Sequence, residues 1–535
     1  MDEATLKPAY DYIVIGSGSA GSVLAARLSE DSDTSVLLLE AGGVDDAQDL
    51  DLPIASPRFL KSAYDWDDIT EPEPGLNGRR MALAHGRVLG GSSSINSMIY
   101  LRGSRDDYDG WASTGATDWS FDDVLPYFLR CENNSRGSSG LHNDSGPLSV
   151  SDCGNRSELS EKFVAAAVEA GHRYNEDLNS FDIEGVGYPQ VTQRRGRRCS
   201  VSRAYLDPVK HRGNLTVATH AIVSVLVFDG TRVVGVEVSI GGRSVRLNAD
   251  SEVLLCAGTY ATAQLLMLSG IGPADHLRAH GISVRADLPV GQELQDHLRV
   301  GMVFESLLPA LPSQLTPEAF AEYERHGTGP VSSNVGETAG FVRSNVSAIS
   351  ANFQVSGVPA MVGAMIGMEK DGFSLCGWVC RPTSRGTVTL RDANPLSRPV
   401  IRHNYLTTDS DRRITCEGIR QLLEIREAPA LDAVLKSTPI SAPTSLDDDS
   451  ILEHVRRTAM TAHHPCGTAG IGRVVAPDLK VFGIDQLRVV DASVMPLIPS
   501  SNINAATIMV AEKGADLVKR DSARHRHSSL PAASF

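Results

Sequence analysis

Three glycines and one acid carry the first chemistry of the chain. Gly16, Gly18 and Gly21 stand in G-x-G-x-x-G spacing, with Ser19 and Ala20 between the last two, and Glu40 followed by Ala41 lies a short way on. In such a unit the first glycine permits a tight turn and the second lets backbone approach a pyrophosphate. The third lets a helix pack close to a strand. The helix N-terminus then faces the phosphates with its partial positive charge. Glu40 can accept hydrogen bonds from an adenosine ribose, and an acid there argues against a ribose 2′-phosphate, hence against NADP. The motif takes FAD or NAD equally well.

The elements needed to position these groups are legible around them. Residues 12–15 form an apolar, β-branched run that reads as a buried strand, and the pattern then turns helical through Val23, Leu24 and Leu28. A second strand, residues 35–39, ends at Glu40. Residues 86–100 read as a small-residue loop opening a helix. Residues 160–170 read as an amphipathic helix stopped by Gly171. Residues 215–238 are β-rich around an Asp229-Gly230 hairpin turn, and residues 252–257 form a buried strand followed by a helix through Gln264 to Leu268. From about 301 to 452 proline and glycine recur and strands shorten, with 386–390 alternating as a half-buried strand would. A strand at 487–490 enters Asp491-Ala492, and a helix runs from about 505 to 518.

The expected fold is therefore α/β (α+β overall). A Rossmann-like nucleotide-binding domain is paired with a second, mostly antiparallel-sheet substrate domain, both discontinuous. The nucleotide domain is expected over 8–150, including an irregular, lid-like region at 44–80, then over 211–300 and 455–519. The substrate domain takes 151–210 and 301–454. Residues 520–535, rich in Ser, Arg, His and Pro, are expected to be disordered.

At 535 residues the chain is too long for one ordinary core. A formal net charge of -15 argues against nucleic acid and anionic membrane surfaces as partners. Eight cysteines are scattered without C-x-x-C pairs, and Cys376 and Cys380 lack companions for a tetrahedral metal site, so no metal is expected. Residues 1–10 carry Asp2 and Glu3 and no apolar stretch, so a signal peptide is not expected. Nor is any apolar run long enough to span a bilayer. Free thiols in a reducing cytoplasm is the expectation.

Four ordered segments together go beyond a generic nucleotide fold. They are Gly16 to Gly21; residues 86–102 with Gly90-Gly91-Ser92 and Asn96; residues 258–273 ending Leu268-Ser-Gly-Ile-Gly-Pro273; and His464-Pro-Cys-Gly-Thr468 with residues 487–516. In this order the chain resembles the glucose–methanol–choline oxidoreductase family over nearly its whole length. The resemblance is greatest to the bacterial alcohol and choline dehydrogenase branch and the related aryl-alcohol oxidases. It implies FAD as cofactor, and an alcohol oxidised to an aldehyde, with molecular oxygen or another redox acceptor completing turnover.

Site residues follow from the same resemblance. Gly91, Ser92 and Asn96 match the loop along the flavin and its pyrophosphate. In some choline oxidases this loop carries a histidine covalently bound to the flavin, where this chain has Ile95, so non-covalent FAD is expected. Val223 matches a residue meeting the adenine, and Asp491 and Ala492 match the strand end at the ribityl chain. His464 occupies the place of the catalytic histidine, the base that takes the hydroxyl proton. Imidazole, with an ordinary pKa of about 6.5, suits that task. Its neighbour His463 is expected to face away, since successive residues on an extended segment point to opposite sides. Asn502 stands where glucose oxidase-like and aryl-alcohol oxidase-like members have a second histidine, and matches the choline oxidase-like arrangement. It would position the substrate oxygen. Asn504 would sit near the flavin pyrimidine edge or cap the following helix. The runner-up is a lyase on the same scaffold, a hydroxynitrile lyase or a fatty acid photodecarboxylase, with Cys380-Arg381 as its reactive pair.

Overall fold

The computed structural model describes residues 6–362 and 370–528. Its first sheet grows from apolar runs too continuous to leave a wet face. Strand β1 (Ala9–Ile15) lies parallel to β2 (Val36–Leu39), with helix α1 (Gly21–Leu28) crossing between them. Outside β2 lies β3 (Leu215–Ala218), also parallel. On the other side of β1 come β4 (Ala221–Asp229), β5 (Arg232–Ile240) and β6 (Arg243–Leu255). The sheet order is β3-β2-β1-β6-β5-β4. The expected hairpin turns at Gly230, whose φ is +62°. Ile13, Val14, Leu37, Leu38, Val253 and Leu254 are all fully buried, as strands covered on both faces must be. Helix α3 (Gly258–Leu268) follows β6, after α2 (Glu158–Glu169).

The second sheet is antiparallel. Its strands are β7 (Leu298–Ser306), β8 (Ala339–Val342), β9 (Phe353–Val358), β10 (Gly372–Val379) and β11 (Leu435–Ser441), in the order β11-β7-β10-β9-β8. Every residue of β10 is buried, because α4 (Asp409–Glu427) packs against it. Residues 460–461 form a short β12 (Met460–Thr461) on the edge of β7, pairing Leu298 with Thr461 and Arg299 with Met460. The chain then returns to the first sheet. Its last strand, β13 (Leu487–Val489), pairs in parallel with the end of β6, and α5 (Asn504–Ser528) packs on α1.

Three expectations are corrected. The strand at Gly386–Thr389 does alternate, but it joins a separate three-stranded sheet with Gln292–Leu294 and Val400–Arg402. Val388 and Ile401 from that sheet pack into the core of the first domain. The loop after Gly86 opens only one turn of 3₁₀ helix at Gly91–Ser94, and the next α-helix begins at Arg105. The Asn96 side chain accepts the Met98 backbone N–H at 3.0 Å, and Met98 takes φ +57°, a side-chain turn that outcompetes helix. The tail expected to be disordered from 520 starts too early, since α5 runs through Ser528. Its Asp521 carboxylate holds the fully buried Arg488 at 2.5 Å and Lys480 at 2.7 Å. Residues 529–535 lie outside the described residues.

Candidate active site

A cavity of about 670 Å³ runs between the two sheets. One end is the glycine turn. Gly16 takes φ +94°, and a Cβ on Gly21 would strike the Gly16 carbonyl oxygen at 1.8 Å, so the third glycine serves close packing as its spacing implies. Gly21 is the one cofactor-motif residue that does not line the cavity; Gly16, Gly18, Ser19, Ala20, Glu40 and Ala41 all do. Gly91 approaches Gly18 so closely that a Cβ would meet its Cα at 2.6 Å. This keeps a bare backbone cradle between the two loops, of the kind a pyrophosphate needs. Glu40 is buried and accepts from Ser17 N at 3.0 Å, Ser17 Oγ at 2.7 Å and Gly42 N at 2.7 Å. Three of its four lone-pair directions thus organise the turn, leaving one for a ribose hydroxyl. Burial raises its pKa against the pull of these bonds.

The other motif residues converge on the same space. Ser92, Asn96, Val223, Asp491, Ala492 and Asn504 line the cavity, and so does Ile95. Asp491 anchors the end of β13: its oxygens accept from Ser493 N at 2.8 Å, Gly258 N at 2.9 Å and Thr262 Oγ1 at 2.6 Å. Asn504 is the first residue of α5, and its Oδ1 accepts from Ser19 Oγ at 2.6 Å, tying that helix to the glycine turn. Arg198, absent from the sequence reading, clamps the flavin-type loop: its Nη1 donates to the Asn96 carbonyl at 2.6 Å and to Asn96 Oδ1 at 3.0 Å. Burial lowers this guanidinium to about 9.

At the far end lie His464 and Asn502. The segment 295–299 runs antiparallel to 460–466, held by Ala462 N to the His297 carbonyl at 2.8 Å and Cys466 N to the Gln295 carbonyl at 2.9 Å. This register sets His297 against His464. His297 Nε2 stands 2.9 Å from the Cys380 carbonyl, and His297 Nδ1 stands 2.9 Å from His464 Nδ1. His464 Nε2 in turn is 2.9 Å from Asn502 Nδ2. A carbonyl only accepts, so His297 carries its proton on Nε2. Burial pushes the His297 pKa down to about 4, so the ring is neutral and its Nδ1 is an acceptor. His464 must then donate from Nδ1. Burial first, with the positive charge of Arg299 adding to it, holds His464 well below its ordinary pKa. Its Nε2 is consequently unprotonated, an acceptor at the cavity that takes a hydrogen bond from the Asn502 amide.

Further groups hold this arrangement. Asp296 Oδ1 accepts the His464 backbone N–H at 2.8 Å, while its Oδ2 accepts from Thr461 Oγ1 at 2.6 Å and from the Tyr405 hydroxyl. Burial raises Asp296 to about 6. Gln354 Nε2, on β9, lies 3.5 Å from Asn502 Oδ1, which orients the amide so that its NH₂ meets His464. Trp378 crosses the His464 ring edge-on at 6.0 Å.

His463 departs from expectation. Its φ of +62° breaks the extended alternation, so both histidines line the cavity. The ring is deep within the protein yet open to the cavity, and its Nδ1 accepts Ala84 N at 3.2 Å. Burial lowers it to about 3. The pair raised for a lyase turns elsewhere. Cys380 is buried in an apolar cluster with Leu101 and Phe341, and Arg381 binds Asp107 at 2.7 Å and Ser104 at 2.8 Å. Neither lines the cavity.

No group of metal-ligating side chains occurs among the described residues, and no described helix is long and apolar enough to cross a membrane. All eight cysteines are unpaired.

Residues 10–299 match one sequence profile described as GMC oxidoreductase, and residues 382–511 match a second of the same description. An oxygen-dependent choline dehydrogenase of Chromohalobacter salexigens is 42% identical over 95% of this chain and 95% of its own. That of Pectobacterium atrosepticum is 43% identical over 96% and 95%. Among solved structures, pyridoxine 4-oxidase from Mesorbium loti superposes with a TM-score of 0.88 at 32% identity, covering 97% of this chain and 100% of that one. A formate oxidase superposes with a TM-score of 0.90 at 28% identity over the same shares. With both profiles matched and this identity along the whole chain, the protein belongs to the glucose–methanol–choline (GMC) oxidoreductase family and is an FAD-dependent, alcohol-oxidising enzyme.

Proposed function

We propose that the chain oxidises a primary alcohol to an aldehyde, with His464 Nε2 taking the hydroxyl proton. The observation that carries this reading is the one-way relay of donors: Asn502 to His464, His464 to His297, His297 to the Cys380 carbonyl. It supports the tautomer in which the cavity-facing nitrogen of His464 serves as the base. The hydroxyl group displaces the direct Asn502–His464 hydrogen bond, giving its proton to His464 Nε2 while the freed Asn502 amide donates to its oxygen and aligns the carbon-bound hydrogen. As the proton leaves, His464 becomes imidazolium, and its Nδ1–H bond to His297 strengthens. Bound FAD supplies the hydride acceptor.

FAD would lie along the cradle of Gly16, Gly18, Ser19, Ala20, Gly91, Ser92 and Asn96, with Gly21 packing the turn from behind. Glu40 and Ala41 would meet the ribose, Val223 the adenine, and Asp491 and Ala492 the ribityl chain. The N-terminus of α5 at Asn504 favours negative charge on the neighbouring ring. Ile95 has no nucleophilic atom, so the flavin is held without a covalent bond. Molecular oxygen or another redox acceptor completes turnover. Eight unpaired cysteines support a cytoplasmic location. The related dehydrogenases act on choline by name.

Anaerobic addition of primary alcohols to the purified flavoprotein should bleach the oxidised-flavin band. His464→Ala should slow this bleaching by about two to four decades while keeping its FAD. Near-normal reduction in the variant would remove His464 as the base.

A further inference from the structure

Arg299 has no assigned purpose in the reaction above, and its surroundings are unusual for an arginine. It lies two residues beyond His297 and pairs with Met460 across the strand edge. Its side chain lines the reacting end of the cavity beside His463, His464, Trp378, Val358 and Met460. Its charge is felt by both histidines. Yet its hydrogen bond is to a poor acceptor, Met460 Sδ at 3.7 Å. No carboxylate among the described residues comes within 4.0 Å of it.

The other charges of the cavity lie away from its reacting end or have partners, and Arg87, which has no carboxylate partner among the described residues, covers the Trp66 ring at 5.1 Å. Arg398 pairs with Asp68 at 3.5 Å and covers the Trp66 ring, and Asp68 also holds His85 at 2.6 Å. Glu40 and Asp491 are occupied by their own backbone and hydroxyl donors. A half-buried guanidinium left without an anion is costly, and the fork of donors it presents matches a carboxylate.

Resting on the alcohol-oxidising reading, we propose that the substrate carries an anionic group, a carboxylate in the simplest case, bound by Arg299 while its hydroxyl lies at His464. The same guanidinium repels a quaternary ammonium, so the chain is set against choline despite its relatives' names. Trp378, Val358 and Met460 enclose the carbon chain between the two ends.

The test uses the holoenzyme and three matched sets: glycolate with its longer ω-hydroxy homologues, the corresponding neutral alkanols, and choline. The hydroxy acids should reduce the flavin with kcat/KM about one to two decades above the alkanols, and choline should be the poorest. Arg299→Gln should erase most of that preference, and Arg299→Glu should invert it toward choline, each variant being checked for one FAD per chain. Equal or better reduction by alkanols or choline in the natural protein overturns the proposal, as does an unchanged preference in Arg299→Gln. If no alcohol in any set reduces the flavin, the alcohol reading is what fails. Saturated fatty carboxylates, titrated against the visible flavin band, then still decide on Arg299. Tighter binding to the natural protein than to Arg299→Gln supports it, and equal binding refutes it.

Discussion

Replacing His297 by phenylalanine removes the one acceptor of the His464 Nδ1–H among the described residues, which the structure places at 2.9 Å in a buried setting. A buried donor left without a partner costs about 1–3 kcal/mol. That penalty falls on the one tautomer whose Nε2 can act as base, because the other tautomer returns its proton to the cavity side. At about 1.4 kcal/mol per decade, flavin reduction should slow by about 5- to 150-fold, with KM little changed. His297→Asn is the control, since its Oδ1 can occupy the place of Nδ1 and restore the acceptor. The imidazolium of His464 must also donate from Nδ1, so loss of the His297 acceptor destabilises the protonated ring as well. A depressed histidine remains deprotonated, hence basic, below its ordinary value. The acid limb of kcat/KM therefore lies below pH 6.5 in the natural protein and moves further down in His297→Phe. Single-turnover anaerobic reduction across pH measures both effects. Phenylalanine and asparagine variants that turn over alike, with no displacement of the acid limb, would refute the relay as the source of the tautomer.

Two further outcomes concern the cofactor. Acid precipitation should leave all the FAD in the supernatant, because Ile95 stands at the position of covalent attachment; yellow colour in the pellet contradicts this. Gly18→Ala and Gly91→Ala should separate folding from binding. The Gly18 Cβ would meet only Gly91 Cα at an ordinary 3.9 Å, so that chain folds normally but loses flavin, whereas at Gly91 the φ of +53° and the 2.6 Å contact disturb the loop itself. Thermal midpoints and flavin-to-protein ratios tell the two apart, and equal midpoints would count against the distinction.

How much of this was readable beforehand depended on distance along the chain. The glycine turn, β1, α1, β2 and Glu40 are contiguous, so spacing alone placed them. His464 and Asn502 were reached through a motif, and both line the cavity. The residues that give His464 its chemistry were not reached: His297 is 167 residues away, and Asp296 and Arg299 come with it. Nothing in Gln295-Asp296-His297 announces a partner, since only the pairing of 295–299 with 460–466 creates the contact. His463 misled because alternation assumes an extended backbone, which its left-handed conformation does not keep. The C-terminal tail misled because a polar composition hides one carboxylate, Asp521, that a buried arginine requires.

The pairing of β13 with β6 has a consequence in time. The central strands of the first sheet come from residues 9–15, 243–255 and 487–489, so the sheet is incomplete until nearly the whole chain has left the ribosome. Contacts of such long range are slow to form. The flavin site, which draws on the same strand ends, is therefore assembled last. The nascent chain cannot rely on its cofactor as a scaffold, and the antiparallel sheet inserted between those strands must find its own packing first.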